Sequence, residues 1–284
     1  MIKNQIKTTL LLGLLTGLFL FIGSILGGKA GLIIGLIFAG IMNVGSFWFS
    51  DKIVLKMYRA QEADRSKHSK LYDMVKDITV RAKLPMPKVY IIPGPHPNAF
   101  ATGRSPNHAA IACTVGIINL LTDHELKGVI AHELAHVKNR DTLISTVSAT
   151  IAGVISYIAM MARWSAIFGG FGGNRDNNNI IELIVLAIIA PLMAMIIQMA
   201  ISRSREYLAD ETGARFLNDA TGLASALEKI EQGIKHVPLR PMGQTEATAH
   251  LFIQNPFRNK GIVKLFSTHP STKDRIKKLH SLKF

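Results

Sequence analysis

Long apolar stretches alternate with long polar stretches along this chain. Four segments carry one charge or none over 19 to 22 residues, at 8–26, 30–49, 142–161 and 180–201. A helix needs about 20 apolar residues to cross roughly 30 Å of hydrocarbon, and all four segments reach that length. The first two predict a membrane hairpin that turns at Gly27-Gly28-Lys29. The last two predict either a second membrane hairpin or core helices of a soluble domain.

The polar stretches predict short strands and amphipathic helices. Residues 51–83 place apolar side chains at helical spacing. Thr122 followed by Glu125 predicts a capping box at the start of a helix that runs to Arg140. Three β-rich runs predict strands at 88–92, 98–102 and 109–115. Further helices are predicted from 202 to about 217, over 223–234 and over 273–282, with loops at 169–179 and 236–262.

Positive charge is distributed unevenly around the apolar segments. The chain has 33 Lys and Arg against 19 Asp and Glu, a formal net charge of +14. Basic residues concentrate before the first segment, after the second and after the fourth. Because cytoplasmic loops are the ones enriched in Lys and Arg, both termini and the long polar stretches are predicted to be cytoplasmic. Contact with anionic lipid accounts for the positive charge, so nucleic acid is not predicted as a partner.

Composition excludes several classes of protein. Hydrophobic residues make up 48% and charged residues 18%, too little polar surface for a soluble globule of this size. The 11 Pro and 23 Gly follow no period, which excludes collagen and low-complexity chains. Cys113 is the only cysteine, so no internal disulfide can form, and its apolar strand predicts a core position.

A histidine–glutamate motif lies on the helix that follows the capping box. It reads His132-Glu133-Leu134-Ala135-His136, and residues i and i+4 of a helix share one face. Two imidazoles at that spacing can bind one tetrahedral Zn²⁺, while Glu133 can reach a metal-bound water. The metal lowers the pKa of that water, and the carboxylate takes its proton. The motif therefore predicts hydrolysis of a peptide bond by metal-activated water.

A hydrolytic zinc site needs a third protein ligand, and the segment after the fourth apolar stretch offers one. Glu206 and Asp210 stand at i and i+4 on one predicted helix. If the third and fourth apolar segments form a hairpin, this helix emerges beside the helix of His132 and His136. Glu206 is then predicted as the third ligand, and Asp210 as the acceptor that fixes a ligand imidazole. A solvated acidic face is the alternative for this pair.

These assignments predict a mainly α-helical integral membrane protein with a cytoplasmic α+β domain that carries a small β-sheet. An N-terminal transmembrane hairpin is predicted at 1–50, and a cytoplasmic part with the strands and the histidine helix at 51–141. A second transmembrane or membrane-associated hairpin is predicted at 142–201, and a cytoplasmic part with the third ligand at 202–284.

Four features together resemble HtpX, a family of membrane zinc endopeptidases related to the CAAX prenyl proteases among the gluzincins. They are the initial hairpin, Pro97-Asn98-Ala99-Phe100-Ala101, the stretch from His132 to Asp141, and residues 202–210, so the resemblance covers nearly the whole chain. It implies a zincin-like metalloprotease fold and one Zn²⁺ per chain. It also implies a stress-related role in quality control of misfolded or damaged membrane proteins, on the cytoplasmic side of the inner membrane.

The resemblance implies roles for further residues. Asn98, Ala99 and Phe100 match an edge strand whose backbone binds an extended substrate, the alternative being an ordinary strand. His269 matches a family histidine near the metal, where it would polarise the oxyanion or cover the zinc before activation. A helix-capping loop is the alternative for this residue. Other candidates for transition-state or substrate contacts are Arg203, Tyr207 and Arg275, whereas Asp141 is assigned a structural role.

Two other functions compete with this hypothesis. One is narrow processing of prenylated peptides, although four predicted spans are few for the large chamber of those relatives. The other is a membrane scaffold or chaperone with a structural zinc. A ligand set of two His and one Glu argues against it, because closed zinc sites are usually rich in Cys. Protein substrates and the lipid bilayer are the only partners predicted.

Overall fold

A helical hairpin forms the N-terminal part of the chain. The computed structural model describes residues 2–151, 203–236, 251–253 and 270–284. Helical structure extends over Ile2–Met57 (α1), but the chain reverses within it at Gly28, whose φ is +54°. The Asn43 amide donates to Thr16 Oγ1 at 2.8 Å across the two arms. The chain thus forms the predicted helical hairpin, while its insertion into a membrane stays a prediction.

Glycine allows the two arms of the hairpin to approach closely. A Cβ atom at either Gly23 or Gly31 would overlap the backbone of the other residue. Among the described residues, one helix, Gly28–Met57, is long and apolar enough to cross a membrane. Ile6–Phe21 and Thr142–Ile151 are shorter apolar helices. Large apolar side chains on the second arm are exposed, among them Ile33, Ile37, Phe38, Ile41 and Trp48.

A four-stranded mixed sheet follows the hairpin. Its strands are β1 (Gln61–Glu62), β2 (Lys88–Ile92), β3 (Ala99–Gly103) and β4 (Ala109–Thr114). They lie in the order β1-β2-β4-β3, with β2 and β4 parallel and the other two pairs antiparallel. The three predicted strands are confirmed, and β3 lies at an edge of the sheet.

Helices surround the sheet and one another. They are α2 (Ser69–Ala82), α3 (Val115–Leu120), α4 (Asp123–Lys138), α5 (Thr142–Ile151), α6 (Arg203–Leu217), α7 (Thr221–His236) and α8 (Thr272–His280). The central helix α4 packs against α2, α6, α7 and β3. Residues 51–57 continue α1 and do not form the separate amphipathic helix that the sequence predicts. Cys113 is buried in β4, as predicted.

The predicted capping box begins α4. The Glu125 N–H donates to Thr122 Oγ1 at 3.4 Å, and the Thr122 N–H donates to Glu125 Oε2 at 2.8 Å. Ser225 and Lys229 of α7 donate to the same carboxylate at 2.6 and 2.8 Å. One side chain therefore starts α4 and also fastens α7 to it.

Several sequence predictions lie outside the described residues. These are the apolar segment 180–201, the end of the segment 142–161, the loop 169–179, most of the loop 236–262, and His269.

Candidate metal centre

Helices α4 and α6 bring the three predicted ligands to one point. His132 Nε2 and His136 Nε2, one turn apart on α4, are 3.2 Å from each other. Glu206, in the first turn of α6, places Oε2 at 3.7 Å from His132 Nε2 and Oε1 at 3.6 Å from His136 Nε2. All three donor groups are thus directed toward one another inside the protein.

This arrangement fits one tetrahedral metal ion. Two nitrogen ligands at about 2.0–2.1 Å from a tetrahedral zinc are roughly 3.3 Å apart. The two Nε2 atoms of His132 and His136 have nearly that separation. Two imidazoles and a carboxylate form a donor set that suits zinc and leaves a fourth position for water.

A close helix contact positions the third ligand. A Cβ atom at Gly213 would lie 2.8 Å from the backbone nitrogen of His132. The neighbouring side chains at the contact are small, since Ala131 and Ala209 are fully buried there. The absence of a side chain at Gly213 lets α6 lie directly against the histidine turn of α4, which brings Glu206 to the imidazoles.

Each of the two imidazoles has its own carboxylate partner. Asp210 Oδ1, predicted to accept from a ligand imidazole, lies 2.9 Å from Nδ1 of His132. Asp141 Oδ2 lies 3.3 Å from Nδ1 of His136. A carboxylate at Nδ1 leaves Nε2 to face a metal and fixes the plane of the ring. The sequence assigned Asp141 only a structural role, whereas the structure places it against a candidate ligand.

Arg275 of α8 holds Asp210 in place. Its Nε and Nη2 donate to the two carboxylate oxygens at 2.9 and 2.7 Å. Burial raises the pKa of Asp210, but the charge of Arg275 and the hydrogen bonds from His132 and Arg275 outweigh it and lower that pKa to about 2. The sequence proposed an oxyanion or substrate contact for Arg275. The structure gives it a buried ion pair beside the candidate ligands instead.

The charge around the histidines favours a bound cation. Burial lowers the pKa of His136, but the hydrogen bond to Asp141 and the charges of Glu206 and Glu133 outweigh it and raise that pKa to about 9. Carboxylates that favour the positively charged imidazole in this way also favour a metal ion bound at its Nε2. The electrostatics therefore agree with the geometry of the ligands.

Glu133 lies buried beside the ligands and is fixed by the sheet. The backbone N–H of Ala101, in β3, donates to Glu133 Oε2 at 2.9 Å. Burial raises the pKa of Glu133, although the charges of His132 and His136 oppose it. A carboxylate that is both fixed and more basic than usual is suited to take a proton from a nearby water and release it again.

An open cleft lies in front of these groups. It is bounded by β3, α4, the first turns of α5 and α6, and the segment 251–253. Phe100 of the predicted edge strand lines it, as does Arg205, which the sequence interpretation did not select. Arg203 is exposed, and the ring of Tyr207 lies 4.4 Å from Lys278 Nζ. Neither of these two residues lines the cleft.

The sequence gives little indication that Arg205 and the segment 251–253 line the cleft. Arg203 and Arg205 both precede Glu206 on one helix, and only the rotation of α6 decides which of them reaches the cleft. The segment 251–253 lies in a stretch that predicts a loop. Asn98, predicted to bind substrate, directs its side chain to this segment and accepts the Ile253 N–H at 3.2 Å.

Fold and site together define a metal-dependent hydrolase with a His, His, Glu ligand set. The sequence matches the model of Peptidase family M48 over residues 65–283. The chain therefore belongs to peptidase family M48 and is a metallopeptidase.

Individual relatives agree with this assignment. The chain is 54% identical over 278 residues to a protease HtpX homolog of Desulforapulum autotrophicum, covering 97% of this chain and 89% of that one. A protease HtpX homolog of Aquifex aeolicus is 51% identical over 271 residues, covering 94% and 89%. One of Pyrococcus furiosus is 49% identical over 277 residues, covering 98% and 95%. The resemblance to the HtpX proteases is confirmed.

A solved structure shares the fold. The crystal structure of S. mikatae Ste24p matches with a TM-score of 0.50 and 16% sequence identity. The match covers 98% of this chain and 65% of that one, so this chain spans about two thirds of the length of Ste24p.

Proposed function

We propose that this metallopeptidase is a membrane-bound zinc endopeptidase that cuts misfolded or damaged membrane proteins on the cytoplasmic side. The observation that carries the proposal is the cluster of His132, His136 and Glu206, of which His136 alone is partly exposed, with Glu133 fixed beside it. Zinc bound by the three ligands would polarise the substrate carbonyl and lower the pKa of a water. The protein residues supply the proton transfers and the orientation.

Glu133 is the general base in this mechanism. Its carboxylate takes the proton of the attacking water and returns it to the amine nitrogen that leaves when the peptide bond breaks. The Ala101 N–H holds one oxygen, Oε2, which prevents the side chain from rotating away. Asp210 and Asp141 keep the imidazoles oriented throughout, so the ligands need not reorganise during the reaction.

The outer edge of β3 is proposed to bind the substrate backbone. In an antiparallel pair, alternate residues direct both peptide groups away from the partner strand. The N–H groups of Ala101 and Gly103 point away from β4, since they donate to the side chains of Glu133 and Thr146. The same alternation directs the peptide groups of Ala99 outward. Phe100 and Ala101 line the cleft, and an extended substrate is proposed to lie along them and cross the metal.

The membrane topology is part of the proposal. We assign transmembrane hairpins to 1–50 and 142–201 and cytoplasmic protease parts to 51–141 and 202–284, with both termini cytoplasmic. The exposed apolar side chains of Gly28–Met57 support contact with lipid. The excess of Lys and Arg in the polar parts supports their cytoplasmic location.

Replacing the general base tests the mechanism. Glu133→Gln keeps the shape of the side chain but cannot accept the proton, so we expect cleavage of an unfolded model protein in detergent to fall roughly 10²- to 10⁴-fold. Zinc content should equal that of the wild type. Cleavage is measured with and without a chelator and after zinc is restored.

A matched substitution controls for the loss of a carboxylate. Glu228→Gln removes an exposed carboxylate on α7 and should retain activity. Zinc-dependent cleavage at wild-type rate by Glu133→Gln would refute the assigned mechanism. Absence of any cleavage by zinc-loaded wild type would refute the endopeptidase proposal as a whole.

A further inference from the structure

A three-residue segment forms one wall of the metal cleft. Leu251, Phe252 and Ile253 are only 7%, 5% and 3% exposed, yet all three line the cleft, together with Phe100 of β3. The imidazoles of His132 and His136, Glu133 and Glu206 line the same cleft. The cleft is therefore polar where the chemistry occurs and apolar along one wall.

Two buried side chains anchor this wall through the backbone of Ile253. Asn98 Oδ1 accepts the Ile253 N–H at 3.2 Å, and Arg275 Nη1 donates to the Ile253 carbonyl oxygen at 3.1 Å. Asn98 and Arg275 are each 1% exposed. Since both backbone groups of one residue are held, the wall has a defined position relative to β3 and to the metal ligands.

Aromatic packing holds Phe252, the middle residue of the wall. The ring of Tyr58 lies 5.9 Å from that of Phe252 and 5.3 Å from that of Phe100, measured between centroids. Tyr58 therefore connects the segment 251–253 to the edge strand. A peptide laid along β3 would direct alternate side chains to one side, and one of them would face this apolar surface.

We propose that Phe100, Leu251 and Phe252 form a specificity pocket that selects a large apolar substrate side chain next to the scissile bond. Asn98 and Arg275 act as positioning residues that hold the pocket through Ile253. This inference rests on the proposed endopeptidase function and adds the substrate class: chains with exposed apolar residues, as unfolded membrane proteins have. A charged side chain placed against these apolar side chains would lose its hydration, which costs free energy.

The pocket is tested by mapping where the enzyme cuts. Purified wild type cleaves an unfolded model protein in detergent, and mass spectrometry identifies the cut sites. We expect Leu, Ile, Met and Phe to be enriched at one position adjacent to the cut. In quenched fluorescent peptides that differ only there, Phe should exceed Asp in kcat/KM by roughly 10- to 200-fold.

Variants of the wall connect this preference to the named residues. Phe252→Ala should reduce the ratio of Phe to Asp cleavage at least several-fold. Asn98→Ala should reduce it as well and raise KM for the Phe peptide more than it lowers kcat. Val80→Ala, at a 71% exposed position on α2, is the matched control and should keep the ratio. Zinc content and thermal unfolding are recorded for each variant.

The outcomes separate this inference from the proposed function. Lack of cleavage by zinc-loaded wild type contradicts the endopeptidase itself. Cleavage without apolar enrichment, or an unchanged ratio in folded Phe252→Ala, contradicts only the pocket. If Phe252→Ala does not fold, Phe252→Leu replaces it, and an unchanged preference between Phe and Leu peptides then contradicts the pocket.

Discussion

Arg275 connects most of the groups around the metal centre. It forms two bonds with Asp210, donates to Ile253, and places Nη1 at 3.7 Å from Glu206 Oε2. Asp210 in turn lies against His132. One guanidinium therefore determines the orientation of a candidate ligand and of the cleft wall, and only its planar fork can satisfy these acceptors together.

Arg275→Lys is expected to weaken zinc binding. Lysine keeps the positive charge but cannot hold both oxygens of Asp210, so the imidazole of His132 loses its fixed partner. Loss of such a supporting contact lowers metal affinity roughly 10- to 100-fold. Competition with a zinc-binding dye measures the affinity. Arg215→Lys, in an exposed pair with Glu211 on α6, is the control, and equal affinity in both variants would contradict the assigned role.

At the scale of elements, the contact between α4 and α6 brings the ligand set together. Two ligands lie on α4 and one on α6, so the distance between these helices sets the size of the metal site. Gly213 lies at a close approach of the two helices, facing the backbone nitrogen of His132. In an open helix, alanine would be favoured over glycine by roughly 0.5–1 kcal/mol. Here close packing reverses that preference.

Gly213→Ala is expected to separate the two helices slightly. The added methyl group would meet His132 N at 2.8 Å, and overpacking of this kind costs about 1–3 kcal/mol. Zinc affinity and activity should both fall, because Glu206 moves away from the imidazoles. Gly17→Ala is the control, since a Cβ atom at that position contacts nothing within 4 Å. Unchanged zinc affinity in Gly213→Ala would show that the helix spacing tolerates the methyl group.

At the scale of the whole molecule, Glu125 couples the start of α4 to α7. Burial raises the pKa of Glu125, but the hydrogen bonds from Lys229, Ser225 and Thr122 outweigh it and lower that pKa to about 2. A carboxyl group with a depressed pKa in the folded state stabilises the fold when ionised. Its contribution is complete above about pH 4.5 and is lost as the pH falls from 4.5 toward 2.

Glu125→Gln is expected to lower the free energy of unfolding at neutral pH by about 1–2 kcal/mol, the range for a lost helix cap and a charged hydrogen bond. The difference from wild type should shrink between pH 4.5 and pH 2, because the wild-type carboxylate becomes protonated there. Denaturant unfolding at several pH values measures it, with Glu228→Gln as the exposed control. A difference that is independent of pH would contradict the assigned ionic role.

Local patterns predict some parts of this molecule and not others. Two features lie within one helix, namely the spacing of His132 and His136 and the pairing of Thr122 with Glu125. Both could therefore be predicted from the sequence alone. The strand β1 has two exposed residues and no periodicity to recognise. Asp141 reaches His136 only because the chain turns back at Arg140, where φ is +57° and the Asp141 N–H donates to the His136 carbonyl oxygen at 2.9 Å.

The side chains that occupy the outer edge of β3 also limit how the protein meets other chains. Open sheet edges recruit strands from neighbouring molecules and promote aggregation. Glu133 and Thr146 already accept the outward N–H groups of Ala101 and Gly103, and Ala99 is itself fully buried.

 Of the residues of β3, only Phe100 and Ala101 line the cleft, so the strand offers an incoming polypeptide a contact of a few residues at most. Because all five residues of β3 are buried within the described structure, this edge is not open to a strand from a second copy of the protease.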